Sequence, residues 1–178
     1  MALDEAALQT LLDKEAIREL VLLYSRAIDR KDPDLLRDLY TEDATDTHGT
    51  DYSGSAEGFC AFMDASWPYL RFSGHHACNH LISVDGDVAC GEVYAIAEHC
   101  LPDAANPGQW VEDFLIVRYL DNYRRCADGK WRFSKRKVVY DMHVTRPFHG
   151  DGDLGGNGGL DPSYGELPLR LFARGARG

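Results

Sequence analysis

Four strand-like stretches in the second half of the chain, joined in pairs by two short turn signals, constrain the fold most. Residues 75–84 and 88–100 flank Asp85-Gly86-Asp87, and residues 110–124 and 131–145 flank Ala127-Asp128-Gly129-Lys130. Turns of this composition join antiparallel strands. The first third of the chain has a different period. Ile17, Leu20, Val21, Tyr24 and Ile28 form an apolar stripe at helical spacing within residues 5–30. Asp32-Pro33 restarts a helix that runs to Tyr40, with Asp as N-cap and Pro at the first helical position. Thr41 to Thr50 reads as a loop plus a short strand. Ser55 caps a third helix, with Glu57 in its first turn and its end near Trp67-Pro68. Helices first and an antiparallel meander after them predict an α+β fold, a curved sheet wrapped on its helices.

Composition sets the outer limits. At 178 residues and 44% hydrophobic content the chain can build one compact core. Nineteen basic residues stand against 29 acidic ones, a formal net charge of -10, so the electrostatic footprint of nucleic-acid binding is missing. The same balance disfavours an anionic membrane surface. No apolar run reaches the length of a membrane span, and Met1-Ala2-Leu3-Asp4-Glu5 lacks the features of a signal peptide. A soluble cytoplasmic protein is the expectation. Cys60, Cys78, Cys90, Cys100 and Cys126 are odd in number and form no C-x-x-C pair, which fits free thiols in a reducing compartment. The tail from Pro147 is rich in glycine, from Gly150 to Gly165, and regains apolar residues only at Leu167-Pro168-Leu169-Arg170-Leu171-Phe172. It reads as a flexible arm with a short apolar clasp, suited to a neighbouring subunit or a pocket. The division expected is a domain over 5–146 and an arm over 147–178.

Candidate site residues come from strand parity and helix faces. His75 opens a strand, and His75, Asn79 and Leu81 share parity and hence a face. A titratable base beside a fixed amide suits proton transfer, while a lone His is more often structural. Asp29 ends the first helix, where the macrodipole disfavours negative charge, and it adjoins the apolar stripe. It is either a solvated carboxylate beside Arg30 and Lys31 or the partner of a cation or imidazole. Arg136 shares parity with Ser134, Val138, Tyr140 and Met142, the more apolar face. An inward Arg is paired, with Asp113 or Glu112, or it serves a ligand. Tyr24 lies on the inner stripe, as core or as a hydroxyl for a substrate oxygen. Trp67, Tyr69, Phe72, Phe114 and Tyr140 are mostly core, with a few at a pocket mouth. Trp67, Phe114 and Tyr140, together with Asn79, are the substrate-contacting candidates. His76, Cys78 and His80 share the face opposite His75 and, with Cys90 or His99 nearby, form a rival zinc- or iron-binding set, but without a usual ligand spacing. With no phosphate loop, no G-x-S-x-G and no dinucleotide fingerprint, neither metal nor organic cofactor is expected.

Taken in order, Tyr24 with Asp29, Trp67-Pro68, His75 with Asn79, and Trp131-Arg132-Phe133-Ser134-Lys135-Arg136 resemble the nuclear-transport-factor-2-like superfamily. The likeness is greatest to its polyketide-cyclase-like (SnoaL-like) branch, and it covers residues 8 to 145. That branch includes hexachlorocyclohexane dehydrochlorinase, scytalone dehydratase and bile-acid dehydratase. The resemblance implies a cone, one strongly bent antiparallel sheet with three N-terminal helices around an apolar cavity. It implies Asp29 and His75 as a catalytic pair, with Tyr24 and Arg136 as further site residues. A carboxylate bonded to one imidazole nitrogen fixes the tautomer and makes the other a better base. The expected activity is a cofactor-independent lyase acting on a hydrophobic cyclic or aromatic small molecule: a dehydratase, a dehydrohalogenase or a retro-aldol type deformylase. An isomerase or cyclase using the same dyad, or a non-catalytic binding module, are the alternatives. A homo-oligomer, trimer or dimer, is expected from the same likeness.

Overall fold

The computed structural model describes residues 4–150 and 160–178. Three helices and six strands make the body, in the order α1 (Glu5–Asp29), α2 (Pro33–Asp38), β1 (Tyr40–His48), β2 (Tyr52–Ser55), α3 (Ala56–Ser66), β3 (Phe72–Asp85), β4 (Val88–Pro102), β5 (Trp110–Arg125) and β6 (Trp131–Pro147). All six strands join one sheet in the order β2-β1-β6-β5-β4-β3. The meander β3 to β6 is antiparallel, as its turns foretell, but β1 runs parallel to β6. The stretch read as a loop with a short strand is thus a full strand of nine residues. The third helix follows the β1–β2 hairpin rather than standing with the other two.

The helix ends fix where the site falls. Asp4 caps α1, its carboxylate accepting from the amides of Ala6 and Ala7. At the other end Lys31 takes a left-handed conformation (φ 51°), and the Asp32 amide donates back to the Ala27 carbonyl. Such a C-terminal motif usually uses glycine. Here the lysine ammonium donates to the carbonyls of Trp67 (3.0 Å) and Leu70 (2.7 Å), which ties the helix end to the segment before β3. Asp29 is thereby held against the first residues of that strand. Nearer its start α1 is pinned again. Arg125 on β5 grips the Asp13 carboxylate at 2.6 and 2.8 Å, and the Trp131 indole donates to it at 3.2 Å.

The core lies between α1 and the concave face of the sheet. Ile17, Leu20, Val21, Tyr24 and Ile28 are all buried there, as their spacing predicts. From the sheet come Val93, Ala95, Ala97, Leu115, Val117, Tyr119, Tyr123, Phe133 and Val138. The convex face carries Leu81, Tyr94, Leu120, Met142 and Val144 in exposed positions.

Four register shifts break the sheet's alternation, the first in β1 between Tyr40 and Thr45. Another interrupts β3 between Ala77 and His80. Two interrupt the β5–β6 ladder, at Ile116/Val117 and Asn122/Tyr123. Each bulge bends the strand and shifts by one residue which side chains face inward. Residues 160–178 lie along α1 and α2. Arg26 donates to the Phe172 carbonyl (2.9 Å) and stacks near the rings of Tyr164 and Phe172, and the Gly175 amide donates to Asp32 (2.8 Å). The clasp therefore holds through arginine and backbone contacts and through Leu171, which packs against the core, while Leu167 and Leu169 stay exposed. The predicted flexibility of the glycine-rich stretch concerns mainly residues 151–159, which lie outside the described residues.

Candidate active site

A cavity of about 230 Å³ opens between α1, α3 and the concave sheet. Ile28, Phe59, Phe62, Met63, Leu70, Leu101 and Leu115 make most of its wall. Its polar lining consists of Tyr24, Tyr140, Ser66, Asp51, Asp113 and four histidines, His48, His75, His99 and His143. An apolar wall with a few convergent polar groups is the usual form of a small-molecule site.

His75 lines this cavity, and Asp29 is bonded to it from behind the wall. The His75 Nδ1 donates to Asp29 Oδ1 at 2.6 Å, and the His75 backbone amide donates to Oδ2 at 2.9 Å. The Ser73 hydroxyl adds a third bond to the carboxylate, at 3.0 Å. Asp29 is therefore neither solvated nor loosely placed. Its three acceptor contacts fix the imidazole's tautomer and leave Nε2 for the cavity. His76, the next residue, is exposed on the convex face.

Tyr24 reaches the same space from α1. Its ring stands edge-on to His75, with centroids 6.5 Å apart. Burial pushes its phenol well above the ordinary range, so it is a neutral donor. Its hydroxyl lies 3.1 Å from His48 Nε2. Tyr140 lines the mouth and donates to Asp51 at 2.9 Å. Gly49 makes room for it: a Cβ there would come within 2.8 Å of the Tyr140 ring.

The other predicted contacts need correction. Arg136 does not line the cavity. It is fully buried and bonds Asp121 through two nitrogens at 2.8 Å each, rather than Asp113 or Glu112. The rings of Tyr24, Tyr119 and Phe133 lie 4.0, 4.3 and 4.2 Å from its guanidinium carbon. Asn79 is exposed because the bulge after Ala77 turns it outward, and Leu81 follows it, 74% exposed. Phe114 faces away, since β5 alternates there and Asp113 and Leu115 are the inward pair. Trp67 is core beside the cavity, not part of its wall. The rival metal set is split by the same bulge. His80 turns inward to the Tyr123 hydroxyl (3.2 Å), while His76 and Cys78 stay outside. Among the described residues no group of three or more His, Cys, Asp or Glu side chains is arranged to hold a metal ion.

Two of the other cavity histidines, His48 and His143, carry no mark in the sequence reading, and His99 enters it only beside the rival metal set. His48 Nδ1 donates to Asp46 Oδ1 at 2.5 Å, and its ring stacks on Phe59 at 4.4 Å. Asp46 is wholly buried and accepts the Tyr40 hydroxyl on its other oxygen at 2.6 Å. An Asp and a His two residues apart on one strand share a face, so Asp46-Thr47-His48 was a readable signal. His99 lies 5.2 Å from the His75 ring, and burial lowers it to about 4. His143 bonds Asp113 at 2.7 Å near the opening.

The bent sheet and the helix packed across its concave face, with a cavity between them, define a cone of the NTF2-like type. The chain belongs to the SnoaL-like domain family, whose model matches residues 9–137. No curated protein matches its sequence. Among solved structures it is similar to a type 2 hexachlorocyclohexane dehydrochlorinase (LinA), with a TM-score of 0.69 and 22% identity over 82% of this chain and 95% of that one. A scytalone dehydratase-like protein from Novosphingobium aromaticivorans gives 0.66 and 22%, over 85% and 95%. The Kfla4162 protein from Kribbella flavida gives 0.66 and 24%, over 76% and 95%. At these identities the likeness shows a shared fold, one that hosts dehydratases and dehydrochlorinases among other proteins. Among the described residues no helix is long and apolar enough to cross a membrane.

Proposed function

We propose that the protein is a lyase that removes a proton from carbon in a hydrophobic, uncharged, cyclic small molecule. The observation that carries this is the Asp29–His75 pair, oriented by three hydrogen bonds on the carboxylate inside an apolar cavity. His75 Nε2 takes the proton, and Asp29 stabilises the imidazolium as it forms. The Tyr24 hydroxyl meets a substrate oxygen and supports the charge that develops there. Among the described residues the cavity wall carries neither Lys nor Arg, so nothing in it calls for a carboxylate or phosphate on the substrate.

Solvent exchange tests the base without needing a leaving group. Incubated with cyclohexanone in deuterated water, the wild-type protein should speed loss of the α-proton signals. His75→Ala should reduce that rate by about 10²–10⁴. Asp29→Asn should cost a similar factor, and the double variant little more than either alone. Exchange as fast in His75→Ala as in the wild type would remove His75 from the chemistry.

A further inference from the structure

The cavity holds a second carboxylate–imidazole pair, and it is wired to Tyr24. The chain runs from the Tyr40 hydroxyl to Asp46 (2.6 Å), from His48 Nδ1 to Asp46 (2.5 Å), and from His48 Nε2 to the Tyr24 oxygen (3.1 Å). Asp46 is 0% exposed, and Tyr40 and His48 occupy its two oxygens. Its cross-strand partner Arg136 is committed to Asp121. Nδ1 faces Asp46 and Nε2 faces the Tyr24 oxygen, so a proton arriving on His48 can pass to Tyr24. In the form with both ring nitrogens protonated, His48 donates from each. The Tyr24 oxygen accepts from Nε2, and its own hydrogen is free to point into the cavity.

We propose that His48, acting through the Tyr24 hydroxyl, is the acid that protonates a departing oxygen, so that the reaction is loss of water from a ring carrying a β-hydroxyl. This rests on the reading of His75 as base. The step balances. The C–H bond breaks and its proton goes to His75 Nε2. Its electron pair forms the C=C bond. The C–O bond breaks with its pair on oxygen, which takes the Tyr24 proton and leaves as water. Tyr24 takes the His48 Nε2 proton in return. Afterwards His75 is the imidazolium and His48 the neutral ring, and exchange with solvent restores both.

A second observation separates oxygen from halide as the leaving group. A halide departs as an anion and needs no proton, only positive charge to receive it. The wall offers no Lys or Arg, and Arg136, the one buried cation among the described residues, is sealed under the Tyr24 ring on Asp121. A hydroxyl needs a proton donor, and a donor with a carboxylate-backed imidazole behind it is what the cavity has.

Two substrates with the same product test this. 3-Hydroxycyclohexanone and 3-acetoxycyclohexanone both eliminate to 2-cyclohexenone, followed by ultraviolet absorbance. Hydroxide must be protonated to leave, whereas acetate leaves as it is. The wild-type protein should accelerate both, and His75→Ala should lose both. His48→Gln should lose at least about 10² on the hydroxy compound and stay within about threefold of wild type on the acetoxy compound. Retained acetoxy turnover shows that the variant's cavity is intact. Equal losses on both compounds in His48→Gln, or none on either, overturn the acid role and leave the His75 reading standing. Wild-type turnover of the acetoxy compound alone, or of neither, overturns the assignment of water as leaving group. The exchange experiment reads His75 separately from all of these.

Discussion

Two regions of this molecule bury carboxylates, and they use them differently. In the packed interior, Asp13 and Asp121 are each gripped by an arginine, Arg125 and Arg136. Behind the cavity wall, Asp29 and Asp46 are each bonded to a histidine that lines it, His75 and His48. Guanidinium is always charged and spends two donors on one carboxylate in a planar fork. Such a pair engages both carboxylate oxygens, although it leaves Arg136 Nη1 without a hydrogen bond, and its worth is in holding α1 and the strands in register. Imidazole spends one nitrogen on the carboxylate and keeps the other, which can change protonation state. The same acidic residue type thus gives a structural clamp in one place and a poised acid–base group in the other. The partner decides which.

The comparison breaks first at Arg136. If the pair with Asp121 is structural, Asp121→Asn should strand a buried guanidinium and cost about 3–5 kcal/mol in stability. Arg136→Met should be destabilising too, because it orphans Asp121 and removes the contacts to three rings. The double variant Asp121→Leu/Arg136→Met should be more stable than either single one. Urea denaturation measures all three. The folded fraction of Arg136→Met should keep its KM. A KM that rises with little change in stability would return Arg136 to the substrate, as its resemblance to a dehydrochlorinase residue implied.

A smaller effect separates the cavity histidines from one another. His99 lacks a carboxylate partner of the kind His75 and His48 have, and burial, with the electrostatic influence of the neighbouring His75 second, holds it near 4. His80, on the same concave side, is lowered to about 4 by burial as well. An unfolded His titrates near 6.5. Between about pH 4 and 6.5 the unfolded chain therefore binds protons that the native state refuses. This part of the stability is fully present above about pH 6.5 and is lost as pH falls toward 4. Each group contributes no more than about 3 kcal/mol. His99→Gln should make the fall in melting temperature between pH 7 and 4.5 shallower than in wild type. An unchanged slope would mean that His99 takes up its proton in the folded protein as readily as in the unfolded one.

The sequence carried the fold because its strongest signals are local. The apolar stripe on α1, the Asp-Pro start of α2 and the two strand turns each survive in the structure with little shift. Asp29 and His75 were legible because both lie at element ends, before any bulge can change their side. What followed was lost to parity. The bulge after Ala77 exchanges Asn79 for His80, and a bulge in β6 brings in His143 where Met142 shares Arg136's parity. No residue in either strand announces a bulge. Arg136 was placed on the correct face, but a face does not say whether a charge meets a ligand or a carboxylate on the neighbouring strand. His48 was missed because Glu42, Asp43, Ala44 and Asp46 break up the strand-favouring Tyr and Thr residues of Tyr40–His48. Its Asp46-x-His48 pair makes sense only once that stretch is known to be a strand beside β6.

The smallest effect sharpens the account of that bulge. Asn79 and His75 would share a face on a regular strand, and then Asn79 would be the fixed amide beside the base. In the structure Cys78 and Asn79 stand together at the irregularity, and Asn79 is exposed on the convex side. Asn79→Ala should therefore change stability by no more than about 0.5 kcal/mol and leave cyclohexanone exchange at the wild-type rate. His76→Ala, on the same convex face, should behave alike and serves as the matched control. The contrast is with Ser73, two residues before His75 and bonded to the same carboxylate. Ser73→Ala removes one of three bonds that hold Asp29, a loss of about 1 kcal/mol, and should lower the exchange rate several-fold through a less fixed imidazole. If Asn79→Ala instead slows exchange more than Ser73→Ala does, the strand is regular in solution, Asn79 faces the cavity, and the inward placement of His80 is wrong.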